Sequence, residues 1–148
     1  MLGVRLVRLV EKHSEEITDS LLAALRTSEL TKTYRELDPH ELRDATLALY
    51  AHLEEWLLNR SGRDVESYFT AVGTRRAAQK IPSSELAWAL MMSKAELWMF
   101  VYRECAAEKA LELHVELEFL LTLDRFFDRA IYFALKGYEQ SAHVSRAA

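Results

Sequence analysis

A single cysteine, two prolines and four glycines in 148 residues leave few architectures open. One cysteine excludes an internal disulfide framework and any zinc site built from cysteine pairs. So little glycine and proline suits long helices and argues against a turn-rich β sandwich. Missing too are a glycine-rich phosphate loop, a Gly-x-Ser-x-Gly elbow and a His-Glu-x-x-His pair, so no familiar catalytic constellation can be assembled. The residues three before His13, His40, His52, His114 and His143 are Val10, Leu37, Leu49, Leu111 and Gln140, so the Glu-x-x-His ligand pair of di-iron bundles is lacking at every histidine. No segment gathers lysine and arginine densely, and the formal net charge is −4. A nucleic acid or an anionic membrane surface would require a concentrated cationic face, so neither is expected as a partner.

What is present is an apolar majority arranged with helical periodicity. Hydrophobic residues make up 50% of the chain and charged residues 28%, a globular balance for one domain able to bury its own core. Arg5 and Arg8 interrupt the first apolar run, which reads as an amphipathic helix start rather than a secretory signal. The most apolar stretch, 86–102, contains Ser93, Lys94 and Glu96 and reads as a core helix, not a membrane span. A cytoplasmic location is the expectation.

The spacing predicts an all-α, single-domain bundle of about five helices over residues 1–140, with a polar tail at 141–148. A first helix is expected over 4–26, with Leu6, Val7, Val10, Ile17, Leu21, Ala24 and Leu25 on one stripe. A second begins at Asp38-Pro39, where Asp38 and Glu41 form a capping box and Leu37 and Leu42 a hydrophobic staple. It runs through Trp56 and ends at Ser61-Gly62. A third covers 64–80, and a fourth, capped by Ser83, is apolar around most of its circumference. Between Ser83 and Lys136 there is neither glycine nor proline, yet at ~1.5 Å per residue an unbroken helix would outgrow the domain, so a reversal is expected near 106–114. Residues 111–119 alternate like a strand, but Leu113, Leu117, Leu120 and Leu121 continue into Phe127 and Ile131 at helical spacing, and helix is the expectation there.

Four residues stand out as candidate ligand contacts. His13 and Ser14 form a polar notch in the first stripe, read either as a histidine hydrogen-bonded at the core's edge or as a small polar cavity for a signal molecule. His52 flanks the face built by Leu49, Leu53 and Trp56. Arg76 continues the stripe Val65, Phe69, Val72, with Arg75 beside it. A guanidinium aligned with an apolar stripe needs an anion; Glu85 is the expected partner, and a ligand anion is the alternative. A haem would need His13 or His52 as axial ligand, but no resident cofactor or metal is expected. Glu112, His114, Glu116 and Glu118 read as a solvated face rather than a metal site, and Cys105 as inert packing. The three tryptophans lie at core spacing. Should Trp88 and Met92 point away from the face of Leu86, Leu90 and Leu97, the fourth helix would be apolar on both sides and would meet a fifth helix or a second subunit.

These residues also carry a resemblance. The run Leu9-Val10-Glu11-Lys12-His13-Ser14-Glu15-Glu16-Ile17, then Tyr34-Arg35-Glu36-Leu37 ahead of Glu41-Leu42, is similar to the N-terminal domain of RsbT co-antagonist (RsbRD-type) proteins. So is Arg75-Arg76-Ala77-Ala78-Gln79-Lys80-Ile81-Pro82 leading into Glu85-Leu86, followed by Leu97-Trp98. Asp124-Arg125-Phe126-Phe127-Asp128-Arg129-Ala130 with Gly137-Tyr138 resembles its last helix. The resemblance implies a non-enzymatic, all-helical sensory module of bacterial stress-response or transcriptional regulators, acting through a signalling protein partner. Related input domains are globin-like without haem and form homodimers, and a small-molecule sensor is the alternative function. Only a short polar tail follows Tyr138, so the chain is expected either to be a fragment of a longer regulator or to signal through a separate partner.

Overall fold

A computed structural model describes residues 4–105 and 110–147, with side chains described outside 105, 110–116 and 144–147. Six α-helices follow one another: α1 (Val4–Lys12), α2 (Ser14–Thr27), α3 (Pro39–Tyr50), α4 (Gly62–Ala78), α5 (Ser83–Cys105) and α6 (Ala110–Ala147). A 3-10 segment, Glu29–Glu36, joins α2 to α3, and a π turn, Glu55–Asn59, precedes α4. Among the described residues the all-α bundle is thus built from eight helical elements rather than about five.

The extra elements come from breaks that apolar periodicity does not register. The expected first helix divides at His13, which holds φ −102° and ψ 19° between α1 and α2. Its stripe nevertheless stays in one core, since Leu6, Val7, Val10, Ile17, Leu21 and Leu25 are all buried. The expected second helix stops at Tyr50. Trp56, buried against Tyr68, Phe69 and Phe126, sends its indole N–H back to the Ala48 carbonyl at 3.1 Å, and the chain opens into the π turn closed by Arg60 N–H on the Glu55 carbonyl. Such i+5 turns are rare and mostly occur singly. Ser61 therefore opens α4 instead of closing the helix before it. Its hydroxyl accepts from Asp64 N–H at 3.2 Å while Asp64 accepts from Ser61 N–H at 3.1 Å, a complete capping box.

The end of α4 is a Schellman turn. Ile81 N–H reaches the Arg76 carbonyl, Lys80 N–H reaches that of Ala77, and Ile81 is fully buried. Lys80 occupies the left-handed position, φ 64°, that glycine ordinarily fills. Lys80→Gly should therefore stabilise the fold by about 1 kcal/mol, because the Cβ strain of the left-handed conformation is removed; urea denaturation of the variant measures this. At the start of α5 the expected cap position of Ser83 belongs to Pro82, whose carbonyl accepts from Glu85 and Leu86 N–H. Helix α6 is helical from Ala110, through the stretch whose alternation resembles a strand, to Ala147.

Packing centres on α4 and α6, which run side by side in the same direction, with Gly62 against Arg129 and Gly73, farther along, against Ala134 and Tyr138. Gly73 and Gly137 let the two backbones touch: a Cβ on Gly73 would stand 1.8 Å from the Ala134 carbonyl oxygen, and one on Gly137 2.2 Å from that of Thr70. Helix α5 packs on α6, and α2 packs on both α3 and α5. Trp56 alone of the three tryptophans is buried. Trp88 and Trp98 are 40% and 37% exposed on α5, so core spacing misplaced them; α5 is apolar beyond its buried face of Leu86, Ala89, Leu97, Phe100 and Val101. Met92, on the other hand, packs against the core.

Candidate functional site

The stripe on α4 ends as its sequence suggests, with Val65, Phe69 and Arg76 buried in register. Arg76 is 5% exposed and lines a cavity of about 80 Å³ between α2, α3, α4 and α5. The walls are apolar, built by Leu21 and Leu25 from α2, Leu42, Ala45 and Leu49 from α3, Phe69 and Val72 from α4, and Leu86, Ala89 and Leu90 from α5. Two hydroxyls on the walls are already used within their own helices, Thr46 on the Leu42 carbonyl at 2.8 Å and Ser93 on that of Ala89 at 2.9 Å.

Polar chemistry is confined to one end. Nη1 of Arg76 donates to both oxygens of Glu41, at 3.0 and 3.1 Å, and to Gln79 Oε1 at 2.7 Å. Arg75 leans on the same carboxylate at 3.3 Å. The Arg76 guanidinium carbon lies 5.7 Å from the centre of the Tyr34 ring. Burial pushes the Tyr34 hydroxyl up to about 12, with Arg76 pulling it back only in part, so it keeps its proton at neutral pH.

Glu41, not Glu85, is thus the partner of Arg76. The capping box expected at Asp38 is only half made: Asp38 accepts from His40 N–H at 3.0 Å, but Glu41 turns to the guanidinium instead of the helix start. A buried cation competes for a carboxylate far better than an exposed backbone N–H does. Glu85 serves another need. It accepts from the Thr33 N–H at 2.8 Å and the Thr33 hydroxyl at 2.6 Å, fastening the 3-10 segment to the first turn of α5.

The other three candidates lie away from this cavity. His13 sits half-buried at the break between α1 and α2, its Nδ1 3.3 Å from Glu16 and its ring 5.4 Å from that of Phe100. Ser14 beside it is buried. His52 is exposed in the turn after α3, because the helix that would have laid it against the core has already ended. Neither histidine lines the cavity at Arg76. Among the described residues no group of three or more His, Cys, Asp or Glu could hold a metal ion. The side chains of Cys105, Glu112, His114 and Glu116 lie outside the described residues. No helix among the described residues is long and apolar enough to cross a membrane. Sequence reasoning passed over Tyr34 and Glu41 as site residues, because the capping box at Asp38 already accounted for Glu41 and Glu85 was the expected partner of Arg76.

Residues 15–146 match the RsbT co-antagonist protein rsbRD N-terminal domain. The chain belongs to this family. The rsbRD N-terminal domain is a sensory and regulatory unit of stress-response signalling that works through protein contacts and is not an enzyme. Comparison of this rsbRD-type domain with curated proteins and with solved structures gave no match.

Proposed function

We propose that this domain is a cytoplasmic input module that works as a homodimer and passes its state to a separate signalling protein. The observation that supports the dimer is a seam on α5. Trp88, Met91, Ala95, Trp98 and Tyr102 recur at alternating spacings of three and four, the a and d pattern by which helices pair. All five are exposed, Tyr102 by 69%, and Met99 at 52% widens the strip. Trp98 donates its indole N–H to Asp124 of α6 at 2.9 Å, which sets that turn of α6 alongside it. Leu121 and Leu117, one and two turns before Asp124, are exposed as well and extend the same surface onto α6. Apolar strips of this kind, edged by charged groups such as Lys94 and Asp124, are unfavourable in water and mark contact surfaces.

Light scattering at micromolar concentration should give the mass of two chains. Replacing Trp88 and Met91 together with lysine should give a monomer with an unchanged helical circular-dichroism spectrum, since neither side chain contributes to the core. A native chain that stays monomeric throughout would overturn the homodimer.

A further inference from the structure

We infer that the cavity walled by α2, α3, α4 and α5 binds a short-chain aliphatic carboxylate, which takes the place of Glu41 on Arg76. The inference goes beyond the dimeric module proposed above and does not depend on how that module reports its state.

Three features of the cavity specify the ligand. Its body must be apolar, because Leu21, Leu42, Phe69, Leu86 and Leu90 form the walls and the hydroxyls of Thr46 and Ser93 are spent on their own helix carbonyls. Its head must be anionic: at the polar end the guanidiniums of Arg75 and Arg76 share the single carboxylate of Glu41, which leaves one positive charge in excess beside the Tyr34 hydroxyl. Among small uncomplicated head groups, an ionised carboxylate is acceptor-only and matches a guanidinium fork. Its size is limited: the cavity of about 80 Å³ is smaller than the roughly 150 Å³ hole that admits benzene, so a few carbons fill it.

The seat at Arg76 is already held by Glu41, and the arrangement permits an exchange. Two arginines share that one carboxylate, Arg76 buried and Arg75 half-exposed. Glu41 is itself 28% exposed and can remain on Arg75 when a ligand carboxylate occupies Arg76. Neither the buried cation nor the displaced anion is left without a counter-charge, which keeps the exchange inexpensive. Glu85, the other acidic group near Tyr34, does not compete, since both its oxygens are engaged by Thr33. A neutral molecule of the same shape offers the guanidinium only a weaker, uncharged acceptor and leaves Glu41 in place. The exchange has a structural consequence, because it reduces the ionic ties of Glu41 on α3 to α4 from two arginines to one.

The test is a titration of the whole chain with sodium butyrate, followed by the methyl resonances of Leu42, Val72 and Leu90, with 1-butanol as the neutral counterpart. Expected are saturable shifts confined to the cavity methyls with butyrate, at least roughly tenfold weaker binding of butanol, and a comparable loss in Arg76→Met. Ala45→Leu, which fills the cavity while leaving Arg76 and Glu41 intact, should also abolish binding, and its unchanged spectrum elsewhere would show that it folds. Absence of saturable shifts with butyrate, equal binding of butanol, or undiminished binding to Ala45→Leu would each overturn the inference. The oligomeric state, read separately by light scattering, is untouched by any of these outcomes.

Discussion

Gly73→Ala should destabilise the domain by about 3 kcal/mol, at the upper end of what overpacking costs and larger than any surface change could produce. The added methyl would stand 1.8 Å from the Ala134 carbonyl oxygen and 2.8 Å from both Ala134 C and Tyr138 N. All three atoms are backbone of α6, so no rotamer can move aside. Relief requires the two helices to part, which would open the packing of Phe69, Phe127, Ala130 and Ala134 between them. The midpoint of thermal unfolding should fall on the order of 10 °C for a domain of this size. Gly62→Ala is the internal comparison. Its methyl would meet chiefly Nη2 of Arg129, at 2.6 Å, the far end of a flexible side chain, and its effect should stay within about 0.5 kcal/mol. Equal losses from the two substitutions in melts followed by circular dichroism would contradict the backbone contact.

The Glu41–Arg76 pair should respond asymmetrically to truncation. Glu41→Ala leaves a guanidinium that is 5% exposed with only Gln79 and the Tyr34 ring nearby, and should cost about 3 kcal/mol. Arg76→Met places an apolar side chain against an already apolar wall, and it leaves Glu41 partly in water and still beside Arg75. It should cost no more than about 1 kcal/mol. The double variant should then lose much less than the sum, since removing the carboxylate matters only while the buried cation is present. Urea denaturation of the four chains gives the cycle. An Arg76→Met loss as large as that of Glu41→Ala would mean that the guanidinium stem, not the paired charge, holds α4 to α3.

Helical class and core were legible because burial repeats along the chain with the period of the helix. The stripes on α1, α2 and α4 were readable in the main, with Ala24 and Val72 only partly buried, and the anomaly of Arg76 at the end of one of them was readable too. Helix breaks were not legible where they arise from contacts distant in sequence. Nothing local at His13 or Tyr50 signals a stop: one break is packed beside Phe100, and the other follows from Trp56 reaching back to Ala48. Partner choice failed for the same reason. Glu41 and Glu85 both sit in first helical turns, and only the packing of the 3-10 segment on α5 assigns one to Thr33 and leaves the other for Arg76. The glycines carried a signal that was overlooked. A glycine inside a helix costs about 1 kcal/mol against alanine, so Gly73 and Gly137 needed a reason, and close approach is the usual one.

The contact at those two glycines also bears on how the domain responds as a mechanical object. Side chains between helices act as a cushion, because a rotamer change absorbs a small displacement. Where main chain meets main chain there is no cushion. A shift of α4 near Gly73 would therefore press directly on the main chain of α6, and α6 carries Leu117 and Leu121 at the edge of the exposed strip. The two longest-range features of the molecule, its inner chamber and its outer strip, are in this sense fitted to a single rigid axle.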